Sequence, residues 1–183
     1  MEVKVSEKDV QAVKGYLNYI LHLDEKKKKS MLNDFLRRHV QDVNFNPLVS
    51  EEAVKSLKKN NITSEVFEKI TWPWKLPGHG VPEKIRPLFT DSAQRKTGSE
   101  KILHFEHNIP ASQATEMLLG INLNSANVDK EIKNTLACCT LCLITVEEDA
   151  KLTKNGWTKK RPPDAYEKLG IKLMSRSEAC SKL

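Results

Sequence analysis

Three side chains have the types needed for hydrolytic chemistry. Glu106 and His107 stand side by side in the run LHFEHNIP, and Asp149 lies a few residues beyond the run TLCLI. Carboxylates hold a hard dication such as Mg2+, and two suffice because that ion keeps several of its waters. Histidine is the natural base near neutrality, its ordinary pKa being about 6.5. A base, a metal and ligands for the metal are the requirements for hydrolysing a phosphodiester. Neighbours in an extended strand point to opposite faces, so Glu106 and His107 share one site only if the strand ends between them. Pro110 favours such an ending. His104 sits two residues before Glu106, on the same face of a regular strand. There it reads as a support for the site, as a phosphate contact, or equally as a hydrogen-bonded core histidine.

The elements around these residues must place them. Lys101 to Phe105 reads as a strand. Ala111 to Leu119 then reads as a short helix stopped at Gly120, and Val128 to Thr135 as a further helical turn. Leu136 to Ile144 is apolar and carries Cys138, Cys139 and Cys142, so it is expected to be one buried strand. Thr145-x-x-Glu148 is a capping box: the threonine side chain accepts from the Glu148 N–H, and the Glu148 side chain reaches back to the Thr145 N–H. Glu148 thus has a structural task, and Asp149 is left for an ion. Asn155-Gly156 ends that helix. Pro162-Pro163 opens a last helix that closes at Gly170, and the polar tail from Ser175 is expected to fray.

The first seventy residues read as helical. Ser6 with Asp9 starts one helix, whose apolar positions are Val10, Val13, Leu17, Ile20 and Leu21. A second starts with the solvated run Lys26 to Lys29 and ends near Arg37, Arg38 and His39. Ser50 caps a third, and a fourth is expected from Ser64 to Ile70. Residues 71–87 hold too many prolines and glycines for regular structure. Trp72 and Trp74 there read as loop anchors, and His79 as a loop residue rather than a ligand. The polar stretch 91–99 is the expected connector. It divides a helical support and DNA-contact region, 1–90, from a catalytic region, 91–183.

Composition narrows the class. With 39% hydrophobic and 30% charged residues the chain fits a water-soluble globular protein of one domain, or one with a small appendage. Aromatics at 6% and seven glycines argue against an all-β sandwich or barrel. A net charge of +6 and a pI near 9.1 favour a polyanionic partner, and equally serve solubility. No apolar run reaches the roughly 20 residues that span a bilayer, and the amino terminus lacks the apolar segment of a secretory signal. Three cysteines on one run make a poor disulfide framework, so reduced thiols and a cytoplasmic location are expected.

At LHFEHNIPAS and TLCLITVEED the chain resembles the HNH, or ββα-metal, nuclease motif. The first run is similar to its first half, where an acidic residue and a histidine precede an apolar residue and a proline. The second is similar to its second half, where a strand leads into a helix bearing a ligand. The resemblance covers residues 101–155. It implies Glu106 and Asp149 as metal ligands and His107 as general base, with Mg2+ or another divalent cation such as Mn2+. Thr140 stands where the family often has asparagine, and Asp149 where it has asparagine or histidine. The family's central asparagine has two counterparts here, Asn127 and Asn134. Of the family's paired CxxC zinc motifs only Cys139-x-x-Cys142 is present.

The implied fold is α+β: a helical amino-terminal part packed on a carboxy-terminal hairpin-plus-helix metal core. The implied activity is divalent-metal-dependent endonucleolytic cleavage of double-stranded DNA, gripped by Lys151, Lys154, Lys159, Lys160 and Arg161. A compact chain with extra helices further resembles a type II restriction endonuclease, for which a homodimer matches a palindromic site. RNA is the other nucleic-acid substrate. Two rival readings stand beside these: a non-catalytic DNA-binding protein, and a zinc-stabilised interaction module built on Cys139 and Cys142.

Overall fold

The computed structural model describes residues 5–36, 47–70, 82, 84–89 and 102–183. The connector 91–99, residues 37–39, Trp72, Trp74 and His79 lie outside them. The described residues form a mixed α+β fold around one four-stranded sheet.

The sheet is assembled from distant segments. Its strands are β1 (Leu48–Ser50), β2 (Leu103–His107), β3 (Leu141–Thr145) and β4 (Leu173–Met174), in the spatial order β2-β3-β1-β4. β1 runs parallel to β3 and antiparallel to β4. Bonds at both ends set the β2–β3 pair: Val146 N donates to Ile102 O at 3.1 Å, and Asn108 N to Thr140 O at 2.7 Å. The start of β2 thus meets the end of β3, so the pair is antiparallel, and equal spacing between the two bonds sets Phe105 opposite Leu143.

This register sorts the side chains by face. Leu103, Phe105 and Leu143 join Val49, Phe67 and Met174 in one buried cluster. Cys142 and Ile144 point the other way, into a cluster with Leu152 and Tyr166. His104 and Glu106 lie on this second face, opposite Ile144 and Cys142. Helix α7 (Val146–Lys154) starts directly after β3 and covers the same face through Leu152.

The remaining helices are α1 (Glu7–Ile20), α2 (Glu25–Phe35), α3 (Glu51–Lys59), α4 (Ser64–Glu68), α5 (Ala111–Leu119), α6 (Val128–Cys138), α8 (Ala165–Lys168) and α9 (Arg176–Lys182). They fall into two compact units. One gathers α1, α2, α5 and α6 with residues 158–163; α1 packs on α6, and α2 on α5. The other holds the sheet with α3, α4, α7, α8 and α9. β1, early in the chain, pairs with β3, so residues 47–70 belong with the sheet; residues 90 and 91, where the sequence divides the chain, lie outside the described residues.

Local signals set most helix starts. The expected capping box is present at Thr145 with Glu148, and the helix start expected at Ser6 with Asp9 is also a capping box. Ser50 accepts from Ala53 N at 3.0 Å, as a capping serine should. Two expectations are corrected. Leu136 belongs to α6 rather than to a strand, because Ile132, Thr135 and Leu136 make that helix's buried face; the strand starts only at Leu141. The tail does not fray but forms α9, capped by Ser175. Arg176 secures it by donating to the carbonyls of Phe67, Glu68 and Ile70 while lying 5.6 Å from the Phe67 ring centroid. A cation suits the carbonyls at and just beyond the end of α4, of which Phe67 O also accepts from Ile70 N at 3.1 Å.

Candidate metal centre

β2 and α7 bring three ligand-bearing side chains together. The available donor atoms of His104, Glu106 and Asp149 all lie within 4.8 Å of one another. His104 Nε2 stands 3.3 Å from Glu106 Oε2. His104 is 8% exposed and Asp149 9%, while Glu106 keeps more contact with solvent. The grouping follows from the local structure. A period of two puts His104 and Glu106 on one face of β2, and the capped start of α7 carries Asp149 across that face. Among the described residues this is the group of three that such donors form.

Glu106 and Asp149 thus lie close together. His107 does not join the group. The expected end of the strand between Glu106 and His107 is absent; β2 continues through His107, which alternation turns to the face of Leu103 and Phe105. His104 takes the position at the carboxylates instead. Its signal was the spacing of two from Glu106, which is the signature of a shared strand face.

Glu148 is held as its capping role requires, and by one further bond. Its Oε2 accepts from Thr145 N at 2.8 Å and from Ser50 Oγ at 2.6 Å. One carboxylate oxygen therefore joins the first turns of α3 and α7, and Asp149 is the next residue.

The basic residues differ in kind. Lys151, Lys154, Lys159 and Lys160 are exposed and available to phosphates. Arg161 is 2% exposed and is not a surface cation. Its guanidinium donates to the carbonyls of His107 and Asn108, and its backbone exchanges hydrogen bonds with the Gln113 amide at 2.7 and 3.0 Å. The expected phosphate contact is corrected for this residue, because a buried guanidinium committed to backbone carbonyls holds the chain instead. Arg161→Met should destabilise the protein by about 3 kcal/mol in urea unfolding, since it removes a buried guanidinium that donates to the part-buried carbonyls of His107 and Asn108; Lys160→Met should change stability by less than about 0.5 kcal/mol.

Asn127 and Asn134 both lie in the other compact unit. Asn127 precedes α6 at its cap, and Asn134 is exposed on that helix. Neither belongs to the donor group.

The cysteines are thiols, and among the described residues they form no group of three donors. Cys142 is fully buried on β3 among apolar side chains. The Cys139 thiol donates to Thr135 O at 3.3 Å, and burial, assisted by Cys138, pushes its pKa up to about 12. At pH 8 about one thiol in ten thousand would then be thiolate, the nucleophilic form. Iodoacetamide at that pH should leave Cys139 unmodified in the folded protein and label it after denaturation, as read by peptide mass spectrometry.

No protein-family model, curated protein or solved structure matches the chain. No helix among the described residues is long and apolar enough to cross a membrane.

Proposed function

We propose that the chain is a divalent-metal-dependent endonuclease of the ββα-metal (HNH) kind, acting on double-stranded DNA in the cytoplasm. The observation that carries this reading is the convergence of Glu106 and Asp149, from a strand and the helix behind its antiparallel partner, on one donor group. β2 and β3 lie antiparallel and α7 follows β3, which supports the reading, but α5 and α6 come between the two strands in the chain, so they are not the hairpin that the resemblance at residues 101–155 implies. A bound dication there would neutralise charge developing on the scissile phosphate. Glu106 and Asp149 would hold it from rigid elements, which is how a site keeps its geometry. His107 faces away from the carboxylates, on the other side of β2, and is not assigned the proton of the attacking water that the resemblance gives it. The exposed lysines 151, 154, 159 and 160 would bind backbone phosphates, so affinity should fall as salt rises.

The test is incubation of supercoiled plasmid, beside a structured RNA, with Mg2+, Mn2+ or Zn2+. Nicked or linear DNA is expected. Discrete fragments would favour the restriction-type reading with its two-fold dimer, and a smear a nonspecific nuclease. His107→Ala should leave cleavage near the wild-type rate and DNA binding in chelator intact, because the ring lies on the opposite face of β2 from the carboxylates; a fall of about 10²- to 10⁴-fold would make it the general base. Binding without cleavage by the wild type under every metal would overturn the enzymatic reading in favour of a DNA-binding protein.

A further inference from the structure

The donor group contains a nitrogen that a magnesium site does not need. His104 is among its most enclosed members, and its Nε2 faces Glu106 Oε2 at 3.3 Å. Donors about 2.1 Å from one ion stand about 3.0–3.4 Å apart at octahedral or tetrahedral angles, so this separation suits two ligands of one cation. Asp149 brings the third donor within 4.8 Å. Both backbone elements are regular: β2 is hydrogen-bonded beside β3, and α7 is fixed by its capping box.

We propose that His104 is the third protein ligand of this site, and that its imidazole makes the site selective for a borderline first-row dication, Zn2+ foremost, over Mg2+. The inference rests on the metal-site reading above. Mg2+ prefers oxygen donors and sheds its waters reluctantly, whereas imidazole suits zinc and its neighbours. One imidazole with two carboxylates also matches the number of protein ligands of catalytic zinc sites, which keep one position open. His104 is then a ligand rather than a base.

The test is calorimetric titration of the full chain with Zn2+ and with Mg2+, comparing wild type, His104→Gln and Asp149→Asn. Wild type should bind one Zn2+ far more tightly than Mg2+. His104→Gln should weaken Zn2+ binding by about 100-fold or more, since even a residue behind a ligand costs 10- to 100-fold, and should leave Mg2+ binding unchanged. A Co2+ complex should lack the intense near-ultraviolet absorption of thiolate ligation, which separates this site from the cysteines. If His104→Gln binds Zn2+ as wild type does while Asp149→Asn loses it, carboxylates alone hold the ion: the inference fails and the metal-site reading stands. If wild type binds neither ion, or both variants bind as wild type does, both readings fail. Circular dichroism checks the fold of each variant. Should His104→Gln not fold, histidine-selective 15N spectra of the wild type decide: Zn2+ must shift the His104 ring where Mg2+ does not, and an unmoved ring overturns the proposal.

Discussion

Asp149→Asn should abolish most DNA cleavage while the protein stays folded and still binds DNA. The substitution keeps size and shape and removes one negative ligand from a group whose donors lie within 4.8 Å. The expected fall is about 10²- to 10³-fold, the scale seen when one preorganised electrostatic contact to a developing charge is lost. Glu106→Gln should act alike, and the double variant should be scarcely worse than either single one, because ligands of one ion act as a unit. Plasmid cleavage at saturating metal, with a gel shift in chelator as the binding control, checks it. An Asp149→Asn protein that cuts at the wild-type rate would remove this carboxylate from the chemistry.

Glu148→Ala should cost the most stability of any single change at this site. Glu148 is 4% exposed and Ser50 is fully buried. Truncation removes the acceptor of both the Ser50 hydroxyl and the Thr145 N–H, and with it half of the capping box. A lost cap costs about 1 kcal/mol and each buried donor left unsatisfied about 1–3, which together suggest about 3 kcal/mol. For a chain of this size that is a fall in Tm of about 6–12 °C. Ser50→Ala should cost less, because Thr145 N keeps its partner. The two changes should be clearly non-additive in a double-mutant cycle, since they share one hydrogen bond. Differential scanning calorimetry measures all three. Additive losses would mean that the Ser50–Glu148 bond contributes nothing. Because Asp149 follows Glu148, the same variant should also slow cleavage at temperatures where it remains folded.

The caps of α1, α3 and α7 were legible because each is written within four residues. Ser6 with Asp9, Ser50 with its following acids, and Thr145 with Glu148 satisfy amide donors that the first helical turn leaves open. The helical face of α1 was legible from its spacing: Val10, Val13, Leu17 and Ile20 are all buried, whereas Leu21, just past the end of the helix, is exposed. Leu136 reads as strand but folds as helix, because a short apolar run does not distinguish a buried strand from a helix's inner face. The tail reads as frayed but folds as α9, because its anchor lies in α4, more than a hundred residues earlier.

For the candidate site, the residue types and their local periods were set by the sequence alone: a histidine and a glutamate two apart on a strand, and an aspartate just inside a capped helix. Tertiary structure alone decided which face of β2 the helix covers. That choice favoured His104 over His107 as the companion of the carboxylates. It also turned Arg161 inward as a clamp, and it drew β1 into the sheet between β3 and β4. The physical reason is range. Caps and periodicities report interactions between residues a turn or a pleat apart. Strand partners and register depend on which distant surfaces bury each other, and no local pattern encodes that.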